Sequence, residues 1–233
     1  AGKDAVGIGI SPDDNSALTV EGAISLDEIS APTATADYGK IWTQTNNELY
    51  FQDGAGTNAV VRKGGKHSIW VPASAMYPNT TSGCSALTQV ELSNGPELKV
   101  LDFDDGSDEF AQFTVAFPKS WNEGTVTFQP FWTISATGTN TVAWQLAGVG
   151  FGDSDDINTA FGTAVATSAK AHSGTSGDMM VSDESGAITI SGASADSVTY
   201  FQINRDTSAD NHASDARLVG VKIFYTIDAG NDE

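Results

Sequence analysis

The chain has 233 residues and a formal net charge of -19, set by 30 acidic and 11 basic side chains. Such a charge repels phosphate backbones and anionic lipid surfaces, which argues against nucleic-acid binding and membrane insertion. Only 18% of residues are charged, Gly numbers 24, and Lys, Glu and Leu do not recur at helical spacing, a balance that suits strands joined by polar turns.

The N-terminal stretch differs from the rest. Val6-Gly-Ile-Gly-Ile10 runs into the turn cluster 11–15, and a short alternating strand with a glycine break follows at 17–26. Strands at 38–44, 48–52 and 58–62, separated by Asn46-Asn47 and Asp53-Gly54 turns, read as a β-meander. About 65 residues with few large apolar side chains bury little core alone, so this segment is expected to pair with copies of itself. Arg62-Lys-Gly-Gly-Lys66 has a linker's composition, which sets the expected division at 1–65 and 66–233.

Beyond the hinge the strand signal is clean. Ala111, Phe113, Val115 and Phe117 share one face of 110–117, and Val126, Phe128, Trp132 and Ile134 share one face of 125–134. Val219, Val221, Ile223, Tyr225 and Ile227 line up in 217–227. Further strands are expected at 68–71, 98–103, 142–151, 187–191 and 197–205. Eight such strands predict an all-β, eight-stranded, jelly-roll-like sandwich. Residues 153–169 form the one helix candidate, with Asp153 or Ser154 as cap, although Gly162 and the Thr and Val residues favour a short helix or an ordered loop. Residues 170–186 read as a long polar loop.

Candidate sites are few. Asp102, Asp104, Asp105 and Asp108 form the densest acidic run and a weak calcium candidate, but glycine falls in the wrong place for an EF-hand, and an acidic turn between two strands is the favoured reading. Phe131 interrupts a polar strand face beside Pro130, which marks a bulge or edge, and it is the candidate ring for stacking on a glycan or for an inter-subunit contact. Trp70, Trp121 and Trp144 are expected in the core. Cys84 is the one cysteine and is expected as a buried, inert thiol; His67, His172 and His212 are too dispersed for a zinc site. No nucleophile elbow, Walker loop or dinucleotide fingerprint occurs, and no acid pair stands out for glycoside hydrolysis. No catalytic residue and no cofactor are therefore expected. Ala1 fits trimming of an initiator Met, and no signal peptide opens the chain, which predicts synthesis in a cytoplasm; a missing N-terminal part is the alternative.

Two stretches carry a resemblance. Val6-Gly-Ile-Gly-Ile-Ser-Pro12, Leu18-Thr-Val-Glu-Gly-Ala-Ile-Ser25, Gly39-Lys-Ile-Trp42 and Leu49-Tyr-Phe-Gln-Asp-Gly-Ala-Gly-Thr57 resemble the openings and hairpins of phage tail fibres. Ser68-Ile-Trp-Val-Pro-Ala73, Leu101-Asp-Phe-Asp104, Glu109-Phe-Ala-Gln-Phe113, Pro118-Lys-Ser-Trp-Asn-Glu-Gly-Thr125, Phe161-Gly-Thr163 and Lys222-Ile-Phe-Tyr-Thr-Ile-Asp-Ala229 resemble a C-terminal module of tailed-phage virion proteins. The resemblance implies a non-enzymatic virion structural protein with a sandwich fold, a homotrimer, and docking on other virion proteins through the N-terminal segment. A fibre or spike contacting host-surface glycan is the first expectation. A capsid decoration protein is the second, and a glycan-degrading tailspike the third.

Overall fold

A computed structural model of the chain describes residues 24–60 and 64–228. The 6–10 run, the turn cluster at 11–15, most of the expected strand at 17–26, the end of that at 58–62 and the start of the hinge lie outside these residues. The chain divides into two compact units, Ala1–Arg62 and Lys63–Glu233.

In the first unit, β1 (Lys40–Gln44), β2 (Glu48–Gln52) and β3 (Asn58–Val60) form an antiparallel meander in that order. The turns are where the sequence places them. Asn47 takes a positive φ of 60° between β1 and β2, and the Asp53 carboxylate accepts the Ala55 and Thr57 N–H groups before β3. Trp42 is buried and stacks on Tyr50, its cross-strand partner, at 5.2 Å. The opposite face shows Ile41, Leu49 and Phe51 to solvent. Residues 24–29 run beside β1, where the Ile29 N–H donates to the Thr43 carbonyl and the Thr43 hydroxyl to that of Leu26.

The second unit is a jelly-roll-like β-sandwich. Its strands are β4 (Gly65–Pro72), β5 (Tyr77–Pro78), β6 (Thr88–Val90), β7 (Leu98–Phe103), β8 (Phe110–Val115), β9 (Thr127–Thr133), β10 (Thr141–Val142) and β11 (Trp144–Phe151). They continue as β12 (Val165–Ala166), β13 (Lys170–Ala171), β14 (Met180–Val181), β15 (Val198–Arg205) and β16 (Ala216–Ile227). One sheet has the order β12-β11-β15-β8-β5; the other runs β14-β9-β16-β7-β6, with β4 also on β16; β10 and β13 pair separately. Every pairing between these strands is antiparallel. Seven of the eight expected strands form; residues 187–191 make only isolated bridges, Ile188 to Val126 and Ser191 to Val149. The extra strands are two or three residues long, so they lack the length that period two needs to show itself.

The core lies between the two inner faces. Phe113 stacks on Phe201 at 5.2 Å, Phe103 meets Trp144 edge-on at 5.1 Å, and Phe128, Trp132, Leu146, Ile203 and Ile223 are fully enclosed. Trp121 and Trp144 belong to this core, but Trp70 is 45% exposed. Val71 faces the core and Ile69 packs against it, so Trp70 between them faces out, against the expectation of a core position, and its indole lies over Gly220, where a Cβ would meet the ring at 2.6 Å. Strand β16 also shifts register between Leu218 and Gly220. That bulge turns Ala216 and Leu218 inward and leaves Val219 half-buried, against a simple alternation from 219 to 227.

Among the described residues there is no α-helix. Residues 153–164 are an ordered loop. Ser154, one of the two expected caps, takes a positive φ of 66°, and the Asp155 carboxylate accepts the Gly152 N–H at 2.8 Å, so the segment opens on a closed turn instead of a helix. Cys84 is buried, and burial, with Glu109 and Asp102 nearby, pushes its thiol pKa up to about 12. No helix of the described residues is long and apolar enough to cross a membrane.

Candidate binding cleft

Period two decides what the sandwich offers outside. On β15, Thr199, Phe201 and Ile203 point into the core, so Tyr200 and Gln202 point out. Register then assembles their neighbours. Gln112 on β8 stands opposite Gln202 and is itself opposite Tyr77 on β5. Tyr200 stands between Thr114 on β8 and Val149 on β11, and Phe151 closes β11 with its ring 5.8 Å from that of Tyr200 at 68°. Burial raises the Tyr77 hydroxyl pKa, with the Tyr200 phenol adding to it.

The 152–164 loop overhangs this face. The Gly162 N–H donates to the Gly148 carbonyl at 3.1 Å and holds the loop down on β11. Thr159 donates through its hydroxyl to the Asp156 carbonyl, and the Asp156 carboxylate accepts the Asn158 N–H, so the loop is braced from within. Between loop and sheet lies a cleft of about 260 Å³ lined by Gln112, Val149, Phe151, Ile157, Thr159, Phe161 and Tyr200. An adjoining hollow of about 200 Å³ shares Val149, Phe151 and Thr159, and adds Asp155, Asp156 and Ser191. The lining is mostly apolar, with a few polar groups converging, as in sites for small ligands. Ring faces can lie against the C–H face of a pyranose, and carboxamides can both donate to and accept from its hydroxyls.

Phe131 is not part of the cleft. It sits on β9 in the other sheet, half-buried, with Trp70 edge-on at 5.1 Å and the Lys222 ammonium 5.5 Å from its ring centre. The bulge expected beside Pro130 occurs across from it, on β16. Phe131, Trp70 and Lys222 therefore make a second aromatic patch, on the opposite side of the sandwich from the cleft.

The acidic run disperses. Asp102 faces Arg217, with 3.5 Å between its carboxylate oxygen and Nε, and burial raises its pKa against the pull of that guanidinium. Asp108 accepts both the N–H and the hydroxyl of Thr207. Asp104 accepts the Gly106 N–H. Only Asp104 and Asp105 converge, and they do so with Asp215, their carboxylate oxygens lying within 4.8 Å of one another on the exposed surface. These acids chiefly shape turns.

No protein-family model matches the chain, and no curated protein matches it. Similar solved structures include the arabinose-bound α-L-arabinofuranosidase MgGH51, at 12% identity over 65% of this chain with a TM-score of 0.39. The match spans 23% of that enzyme's own chain. A family 11 carbohydrate-binding module from Clostridium thermocellum, in complex with a β-1,3-1,4-mixed-linked tetrasaccharide, matches at 9% identity over 72% of this chain and 98% of its own, with a TM-score of 0.36. TmCBM61 in complex with β-1,4-galactotriose matches at 12% identity over 70% of this chain and 87% of its own, with a TM-score of 0.29.

Proposed function

We propose that the chain is a non-enzymatic structural protein of a bacteriophage particle, a trimeric fibre or spike whose sandwich adheres to host-surface glycan. The observation that carries the adhesive part is the cleft, in which Tyr200, Phe151 and Phe161 supply rings and Gln112 a carboxamide beneath a braced loop. The virion setting and the trimer come from the resemblance of both units to phage proteins, and the exposed apolar face of the small N-terminal sheet supports pairing with further copies. In this reading the N-terminal unit docks on other virion proteins and pairs with its copies, while the cleft grips weakly. Several copies acting together turn weak contacts into firm attachment. Asp155 and Asp156 serve the loop as turn acceptors, which fits a site that holds a sugar without cleaving it.

The second reading is a head-decoration protein that clamps neighbouring capsid subunits. Trp70, Phe131 and the exposed Val181 give the six-stranded sheet an apolar outer patch suited to a protein neighbour. A pull-down on envelopes of the host cell separates the two. Adhesion that drops at least about tenfold in Tyr200→Ala, with the fold intact by circular dichroism, supports the fibre reading. Adhesion unchanged by Tyr200→Ala and Phe161→Ala, or absent from the outset, removes it.

A further inference from the structure

Resting on the glycan-binding reading of the cleft, we infer that it selects uncharged glycans and rejects those bearing carboxylate, phosphate or sulfate groups. Recognition of an anionic sugar needs a cation or converging N–H donors at the point of contact. None of the residues lining the cleft or its adjoining hollow is basic. Lys170 lies on β13 and lines neither space, and the six other described lysines and arginines of the sandwich have partners elsewhere. Arg205 pairs with Asp210, Arg217 faces Asp102, Lys66 binds Glu184, Lys99 binds Gln89, Lys119 lies 3.7 Å from Asp196, and Lys222 stands over Phe131.

The charge that does stand at the cleft is negative. Asp155 and Asp156 line the adjoining hollow, both are exposed, and each uses one carboxylate oxygen on a loop N–H, which leaves the other free to face a ligand. A glycan long enough to leave the cleft along Val149 and Phe151, which line both spaces, passes these two carboxylates. A sugar carrying its own anion meets like charge there, inside a chain of net charge -19. A neutral sugar meets rings, a carboxamide and hydroxyls, and its hydroxyls can donate to Asp155 and Asp156.

The test is a printed array of neutral hexose and N-acetylhexosamine oligosaccharides beside uronate-, sialate- and phosphate-bearing ones, probed with the full chain and with Tyr200→Ala and Asp155→Asn/Asp156→Asn. Asn keeps an oxygen for each loop N–H, so the double variant changes charge with the turns retained. The expected result is Tyr200-dependent binding to uncharged glycans, with charged ones at least about tenfold weaker at low salt and that gap narrowing in the Asn variant and at high salt. Tyr200-dependent binding that favours anionic glycans, or that treats both classes alike, overturns the selectivity and leaves the glycan-binding reading in place. Absence of Tyr200-dependent binding to every glycan overturns that reading and this inference together.

Discussion

Arg205 and Asp210 form a two-pronged ion pair sealed inside the sandwich, with Nε 2.6 Å from Oδ2 and Nη2 3.0 Å from Oδ1. Their side chains are 0% and 2% exposed. The guanidinium's remaining donors go to the carbonyls of Ser214 at 2.8 Å, of Phe103 at 3.4 Å and of His212, so one side chain at the end of β15 ties the end of β7 to the loop that leads into β16. A buried charge left without its partner cannot recover water, so truncating Asp210 exposes the full desolvation penalty of Arg205. Asp210→Ala is expected to cost about 3–5 kcal/mol, read as a lower urea midpoint with an unchanged slope. A loss under about 1 kcal/mol would mean that the backbone carbonyls alone satisfy the guanidinium.

The same end of the sandwich makes stability depend on pH. His172 and His212 are both buried, their rings edge to face with centroids 5.5 Å apart. Burial lowers the His212 pKa, with His172 and the Arg205 guanidinium pushing the same way and Asp210 opposing them. A folded-state pKa below the unfolded value means the unfolded chain binds more protons in the window between the two. Stability is therefore fully present above about pH 6.5 and falls as pH drops through the folded-state pKa. The melting temperature of the wild-type chain should decline on acidification across that window, and His212→Gln should flatten the decline. A wild-type curve level from neutral to mildly acid pH would rule out this dependence.

Much of the sandwich could be read from side-chain alternation, because a strand half-buried between core and solvent must repeat every second residue. The inner faces of β8 and β9 came directly from Phe113, Val115, Phe128 and Trp132, and the outward position of Tyr200 follows from the same count. Two features broke it. The bulge at Leu218–Gly220 resets the phase of β16, and a bulge leaves no mark in a run of apolar residues that satisfies either phase. The 153–169 segment carries acids that suit a helix N-terminus equally well as a turn, and only the φ of Ser154 distinguishes them. The cleft was hidden for a related reason. Ile157, Thr159 and Phe161 come from a loop, so no period links them to Tyr200. Phe131 stood out as an apolar residue on a polar face, but its partner Trp70 depends on the space over Gly220, which only the register of β4 against β16 reveals.

Gly150 offers a test of how the cleft's wall is held. Its N–H donates to the Ser191 carbonyl at 2.8 Å, and a Cβ built there would lie 2.4 Å from the Ala193 backbone. The absence of a side chain is what lets residues 191–193 lie against β11. Since the obstacle is backbone, Gly150→Ala must move the segment, at a cost of roughly 1–3 kcal/mol by the usual range for overpacking. Hydrogen exchange should quicken at Gly150, whose donor the displaced segment leaves, while the β8–β15 pairing stays protected. Unchanged exchange at position 150 would show that the segment accommodates the methyl group without giving up that bond.

The N-terminal unit makes the strongest demand for a partner. Ile41 is 63% exposed and Leu49 36%, and they share one face of a three-stranded sheet with Phe51 at 42%. Beside them, Ile24 and Leu26 line an open groove of about 480 Å³ with Ile41, Thr43 and Leu49. So small a sheet cannot cover an apolar face with its own side chains, and an assembled trimer would cover it with the same face of sister copies. Ile41→Asp together with Leu49→Asp places charge on that face and leaves Trp42 and Tyr50 on the other untouched. The pair is expected to convert a trimer to monomer in analytical ultracentrifugation, while near-ultraviolet dichroism from the buried Trp132 and Trp144 of the sandwich is retained. Because each copy meets its own charge across the interface, loss of association should deepen with each added Asp and ease toward acid pH as the new carboxylates protonate. A wild-type chain that sediments as a monomer at every concentration, or a double variant that stays trimeric, would assign this face to some other occupant.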